Sequence, residues 1–234
     1  MFSTNEKKKH SSWQGSFYTR KWNDNTSVIY FEKHFGGKPL LKKINDLAEK
    51  SNITFHSALV NENNADIWVS SGWEKIAKLN VLSLSVRQFS DQKEVANPEN
   101  FDESKIPDLL KLDEKIFDSY WQNSEAAFKE TIESCTHNYL FIHKVNDQKA
   151  GYAILGVTRN NGYLQRFGVA QEFQNSGIGS EMLQNIINFA KVKKLINIRL
   201  NTQEENLLAK NLYLKNGFSL TETNFIIFGT TKND

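Results

Sequence analysis

The chain has 234 residues, and its 29 lysines and arginines against 27 aspartates and glutamates leave a formal net charge of +2; that length suits one large domain or two small ones. Near-balanced charge argues against a protein whose main business is the nucleic-acid backbone, and ordinary apolar and charged fractions with many aromatic residues argue against wholesale disorder. No stretch approaches membrane-spanning length, the polar N-terminus lacks the apolar region of a secretory signal, and the single cysteine, Cys135, rules out an intramolecular disulfide framework, so a cytoplasmic protein with no membrane partner is expected.

Residues 1–12 read as a flexible tail, with Lys7-Lys8-Lys9 as a solvated run. Phe17 to Trp22 and Ser27 to Lys33, joined by the turn-forming Asn23-Asp-Asn-Thr26, predict a hairpin. Leu40, Leu41, Ile44, Leu47 and Ala48 then recur at helical spacing behind Pro39, which a first helical turn tolerates. A short strand over Ile53 to Ala58, a helical turn around Ala65 to Ser70 and a strand from about Leu79 to Phe89 complete this part. Ser90 to Ser104, polar and containing Pro98, is the candidate linker. The domains expected are therefore 13–90 and 91–234, with the boundary between about 80 and 104.

Two helices follow, one carried by Ile106, Leu109, Leu110, Leu112, Asp113 and Ile116, the other by Ala126, Ala127, Phe128, Thr131 and Ile132. Tyr139 to Val145, Ala150 to Val157 and Gly162 to Val169 read as strands, and the close-set turns between them predict an antiparallel meander. The stretch from Leu164 through Leu183 then reads as a strand, a glycine-bearing turn and an amphipathic helix. Gly177 and Gly179 remove side chains where a backbone must come close to something, and the helix N-terminus beside them offers unpaired N–H groups to an anion. By itself a Gly-x-Gly before a helix serves phosphate binding or tight helix–strand packing equally well. Ile196 to Leu200 is a strand, Asn206 to Asn216 a helix closed by Gly217, and Phe218 to Gly229 a final strand region.

The two halves echo each other. Gly37, Leu41, Ile44, Leu47, Ala48, Ile53, Phe55, Trp68, Gly72 and Trp73 run in the order and near the spacing of Gly179, Leu183, Ile186, Phe189, Ala190, Ile196, Ile198, Tyr213, Gly217 and Phe218. The five histidines show no metal-ligand spacing, so no metal is expected.

With Gln174-Asn-Ser-Gly177-Ile-Gly179 after a strand ending at Val169, and Asn206, Ala209, Tyr213 and Gly217-Phe218 downstream, the chain resembles the GNAT superfamily of N-acetyltransferases from roughly Leu82 to Asp234. Its N-terminal part resembles a degenerate half-copy, as in the tandem mycothiol synthases. The resemblance implies an α/β (α+β) fold: a mixed, mostly antiparallel sheet flanked by helices, with a smaller N-terminal GNAT-like half-domain. It implies an acyltransferase that moves an acetyl group directly from acetyl-CoA, its cosubstrate, to a primary amine of a small molecule or protein, acting as a monomer or homodimer.

The same resemblance assigns positions. Gln174, Asn175, Ser176, Gly177, Ile178, Gly179 and Ser180 would wrap the pyrophosphate, and Phe167, Gly168 and Val169 would pair with the pantetheine arm like an added strand. The Val169 N–H would stabilise the oxyanion, Asn206 would touch the pantetheine arm, and Tyr213 would be the general acid. A half-buried helix aromatic is the plainer alternative for Tyr213. No carboxylate stands on the preceding strand, whose faces read as Tyr163, Gln165, Phe167 and Val169 against Leu164, Arg166 and Gly168. Gln165 could orient a water, Glu133, His137 and His143 are conceivable bases, and a water relay stays open. The N-terminal copy has His34-Phe-Gly-Gly37 and Pro39 where the anion loop would be, so it is not expected to hold CoA; Trp22, Trp68 and Trp73 would wall the acceptor site or fill that half's core. The rival readings are a non-catalytic acyl-CoA sensor and a partner-binding structural protein.

Overall fold

The computed structural model describes residues 2–88 and 97–230. In chain order the strands and helices are β1 (Lys8–Ser12), β2 (Gly15–Lys21), β3 (Ile29–Gly36), α1 (Lys38–Ser51), β4 (Phe55–Ser57), β5 (Val60–Asn61), α2 (Ala65–Val69), β6 (Trp73–Ser85), β7 (Glu99–Asn100), α3 (Ile106–Ile116), α4 (Glu125–Glu133), β8 (His137–Val145), β9 (Gln148–Thr158), β10 (Asn161–Val169), α5 (Ile178–Val192), β11 (Asn197–Gln203), α6 (Leu207–Lys215) and β12 (Ser219–Thr230). They fall into two compact units, residues 1–80 with 222–234 and residues 81–221, the division cutting β6 and β12. No helix among the described residues is long and apolar enough to cross a membrane.

Three sequence expectations change in the first unit and at its border. Lys8–Ser12 is a strand rather than tail: it pairs antiparallel with β2 from Lys8↔Thr19 to Ser12↔Gly15, and Lys7 is drawn to Glu32 and over the Tyr18 and Tyr30 rings. The stretch from Glu222 onward belongs to the first unit, where Ile226 and Phe228 enter its core and β12 pairs with β4 and β5. The expected linker contains β7 and a 3₁₀ turn at Glu103–Lys105; its residues 90–96 lie outside the described residues.

The first unit follows β3 by α1, β4 and α2. Pro39 sits in the first turn of α1, and Asn52 closes the helix in the left-handed conformation, its N–H reaching Ala48 and Glu49. Leu40, Leu41, Ile44 and Ala48 put one face of α1 into a core with Phe31, Phe55, Trp68 and Trp73. The Trp73 indole donates to the Leu41 carbonyl at 3.0 Å, so the buried ring keeps its polar atom paired. Trp68 and Trp73 are therefore core residues of this unit.

The second unit carries the β8–β9–β10 meander in the predicted antiparallel order. Asn146 and Asp147, both at positive φ, make the two-residue turn whose twist suits a hairpin. β9 is buried on both faces, and its alternation serves two cores. Tyr152 and Ile154 meet α3 and α4 through Leu109, Leu112 and Phe128, while Ala153, Leu155 and Val157 meet Leu183, Ile186 and Ile187 of α5. Each such valine, leucine or isoleucine contributes about 1.5–3 kcal/mol on burial, so β10 is braced against a rigid neighbour.

Candidate active site

The site begins where β10 leaves β11. The two pair in parallel only at Asn161, Gly162 and Tyr163 against Asn197, Ile198 and Arg199, whereas β10 stays paired with β9 to Val169. The β11-facing edge from Leu164 onward is thus free, as the resemblance implied. The Ala170 N–H bonds back to Ala150, so by strand alternation the Val169 N–H points to the free edge. The Val169 carbonyl on that edge accepts from Gln174 Nε2 at 3.0 Å.

A register shift at Gln165, between Leu164 and Arg166, corrects the predicted faces. An extra residue flips the phase of a strand, so Leu164 joins Phe167 and Val169 on the α5 side. Gln165 turns with Arg166 toward α3 and α4, donating to the Thr131 carbonyl at 3.2 Å and to Ser134 Oγ. Gln165 is thereby engaged away from the cleft, and it does not line it.

After β10 a 3₁₀ turn, Gln171–Phe173, leads to Asn175 at φ 60° and Gly177 at φ 88°, the latter forming the N-cap of α5 with no side-chain cap. A Cβ on Gly177 would meet nothing within 4 Å, so the glycine answers the backbone angle; a Cβ on Gly179 would lie 3.2 Å from Leu212 Cδ2, so that glycine answers close approach to α6. The first N–H groups of α5 consequently face outward without helical acceptors.

These elements enclose a cleft of about 670 Å³. Of the predicted residues, Phe167, Gly168, Val169, Gln174, Asn175, Gly177, Gly179, Ser180, Asn206 and Tyr213 line it. Ser176 and Ile178 do not: the Ser176 hydroxyl turns back to the Phe173 carbonyl, and Ile178 is buried in the core beneath α5. Asn206 caps α6, its side chain accepting the Ala209 N–H at 3.1 Å. Tyr213 is 6% exposed and packs against the Phe167 ring at 6.0 Å and the Phe218 ring at 5.7 Å. Burial pushes its phenol well above the ordinary tyrosine range, so it stays protonated and able to donate.

The remaining wall was not legible as part of the site. Ile116, Phe117, Asp118 and Trp121, from the end of α3 and the loop behind it, line the cleft. A Cβ on Gly168 would stand 2.4 Å from Ile116 Cγ2 and 2.8 Å from Phe117 Cζ, so this wall lies directly over the strand. Behind it, the buried Asp113 carboxylate accepts from Arg166 Nε and Nη2, each at 2.8 Å, from the Asn123 N–H at 2.7 Å and from the Tyr152 hydroxyl. Burial holds the Tyr152 phenol well above its usual range, keeping it a donor. The one sequence signal was an aspartate at an inward position of the apolar α3 pattern, between Leu109, Leu112 and Ile116.

Of the conceivable bases, Glu133, His137 and His143 are absent from the cleft lining, and His143 instead faces Glu181 at 3.8 Å. The carboxylates that line the cleft are Asp118 and Glu205. A free strand edge, a helix N-terminus, a buried phenol and an aromatic wall with one carboxylate can hold an extended amide chain ending in an anion and transfer a proton beside it.

Residues 106–218 match the family model described as Acetyltransferase (GNAT) family. No curated protein matches the chain. Among solved structures, a tandem GNAT protein from the clavulanic acid biosynthesis pathway, solved without AcCoA, is 14% identical with a TM-score of 0.64, over 100% of this chain and 86% of its own. A GCN5-related N-acetyltransferase from Kribbella flavida is 9% identical with a TM-score of 0.61, over 97% and 91%. One from Sphaerobacter thermophilus is 13% identical with a TM-score of 0.60, over 93% and 78%. At these identities the likeness to the solved structures is one of fold.

Proposed function

We propose that this chain, whose residues 106–218 match the acetyltransferase (GNAT) family model, moves an acetyl group from acetyl-CoA to a primary amine within a ternary complex. The observation that carries the reading is the free β10 edge from Leu164 to Val169, which opens into a cleft bounded by the α5 N-terminus. The pantetheine amides add to that edge as a strand would, and the pyrophosphate meets the N–H groups beside Gly177 and Gly179.

The amine nitrogen attacks the thioester carbonyl, a C–N bond forms, and the C–S bond breaks as the tetrahedral intermediate collapses. The Val169 N–H holds the oxyanion. Tyr213 gives its proton to the departing sulfur. Asp118, on the wall over Gly168, takes the amine proton through water, whereas Glu205 adjoins Asn206 at the pantetheine side. The acceptor is a small molecule or a protein terminus, and the protein works in the cytoplasm.

The test is thiol release from acetyl-CoA across a panel of primary amines. Amine-dependent release with one acetylated product per thiol is expected. Tight acetyl-CoA binding with no release for any amine would replace the transferase by a sensor, and no binding would remove both.

A further inference from the structure

The wall opposite the free strand edge is fastened to β10 by the Arg166–Asp113 ion pair, and we propose that Arg166, through Asp113, is a positioning residue for the amine acceptor. This rests on the acetyl-transfer reading of the cleft. α3 ends at Ile116, and the backbone turns extended at Phe117, whose N–H still bonds the Asp113 carbonyl at 2.9 Å. From there to Asn123 the chain forms a loop tied at both ends to the same pair. Asp113 Oδ2 takes the Asn123 N–H, and Arg166 Nη2 donates at 2.8 Å both to that carboxylate and to the Trp121 carbonyl. The guanidinium also lies 3.5 Å from the Phe117 ring centroid, and Gln122 Nε2 closes the loop on the Phe117 carbonyl at 2.8 Å.

Arg166 does not line the cleft, whereas Phe117, Asp118 and Trp121 do. It therefore acts on a bound amine only through the loop. Its place on β10 makes the arrangement consequential. Two residues before Gly168, the same strand that offers the cofactor its free edge also fixes the opposing wall, so one element sets the distance between thioester and acceptor. A planar fork with several donors in fixed directions suits the task, since it satisfies a carboxylate and a loop carbonyl together. An ammonium could not hold both at that geometry. Because Gly177, Gly179 and Ser180 belong to the start of α5, which packs on the sheet face opposite to α3, loosening the loop reaches the acceptor and not the pyrophosphate.

The experiment uses Arg166→Met and the double variant Asp113→Leu/Arg166→Met, which leaves no unpaired charge buried and keeps the test open if the single variant fails to fold. Three quantities are read on the whole chain: acetyl-CoA affinity by calorimetry, kcat and KM for the acceptor by thiol release, and amide exchange over residues 117–123 against 177–183. Acceptor KM is expected to rise about tenfold or more, as a misplaced contact region does, with acetyl-CoA affinity changed by no more than about twofold and exchange faster in 117–123 alone. Unchanged KM and exchange would overturn the proposal, and so would a parallel loss of acetyl-CoA affinity and acceptor KM, the mark of general loosening. Exchange needs no cofactor; a wild-type chain that bound no acetyl-CoA would fail the acetyl-transfer reading, while the exchange arm would still decide the anchoring.

Discussion

Asp113→Ala is expected to cost about 3–5 kcal/mol of stability, because it strips a buried cation of its partner. The carboxylate is 1% exposed and the Arg166 side chain 14%, so water can replace only part of what is lost. The Tyr152 hydroxyl and the Asn123 N–H would be left without their acceptor, and Arg166 would keep only the Trp121 carbonyl and the Tyr152 oxygen. Asp113→Leu combined with Arg166→Met should recover most of that loss, since well-packed apolar groups are commonly as stable as a buried pair. Urea denaturation followed by circular dichroism measures both, each unit being fitted separately if two transitions appear. Equal losses in the single and double variants would show that the charges are not coupled.

Tyr213→Phe is expected to lower kcat by about a hundredfold, the smaller end of what general acid catalysis supplies, with acetyl-CoA affinity nearly unchanged. The ring would keep its contacts with Phe167 and Phe218, so the substitution removes the proton donor and little packing. The pH dependence follows from the sign of the shift. Burial raises the phenol's pKa, so the acid form persists as pH climbs through about 10, where an exposed tyrosine begins to ionise. The wild-type kcat should show no loss from this group below that pH. A Phe variant that turns over as fast as wild type would leave Tyr213 as a packing residue.

Local patterns made the meander, the helix order and the glycine-bearing turn before α5 readable, because turn residues, 3.6-residue periodicity and Gly177 and Gly179 act over a few positions. Long-range pairing was not readable in the same way. Nothing in Leu164-Gln-Arg166 announces a register shift, so strict alternation put Leu164 and Gln165 on the wrong faces. The Asp113–Arg166 pair joins residues of α3 and β10 far apart in sequence, and the wall it holds was invisible until those elements met. Lys7 to Ser12 read as a solvated tail because its stabilising partners, β2 and the Tyr18 and Tyr30 rings, come later in the chain. For the same reason Glu222 to Thr230 looked continuous with the second domain, although Ile226 and Phe228 fill the core of the first unit.

Titrating acetyl-CoA into the wild-type chain and into Gly179→Val addresses the centre of the account. A Cβ at residue 179 already meets Leu212 at 3.2 Å, and two further methyl groups would crowd the cleft beside the α5 N-terminus, where the proposed reading seats the pyrophosphate. Saturable binding by the wild type, weakened about a hundredfold or more in Gly179→Val (about 2.7 kcal/mol), is the predicted result. Absence of binding by the wild type, or equal affinity in the variant, would contradict it.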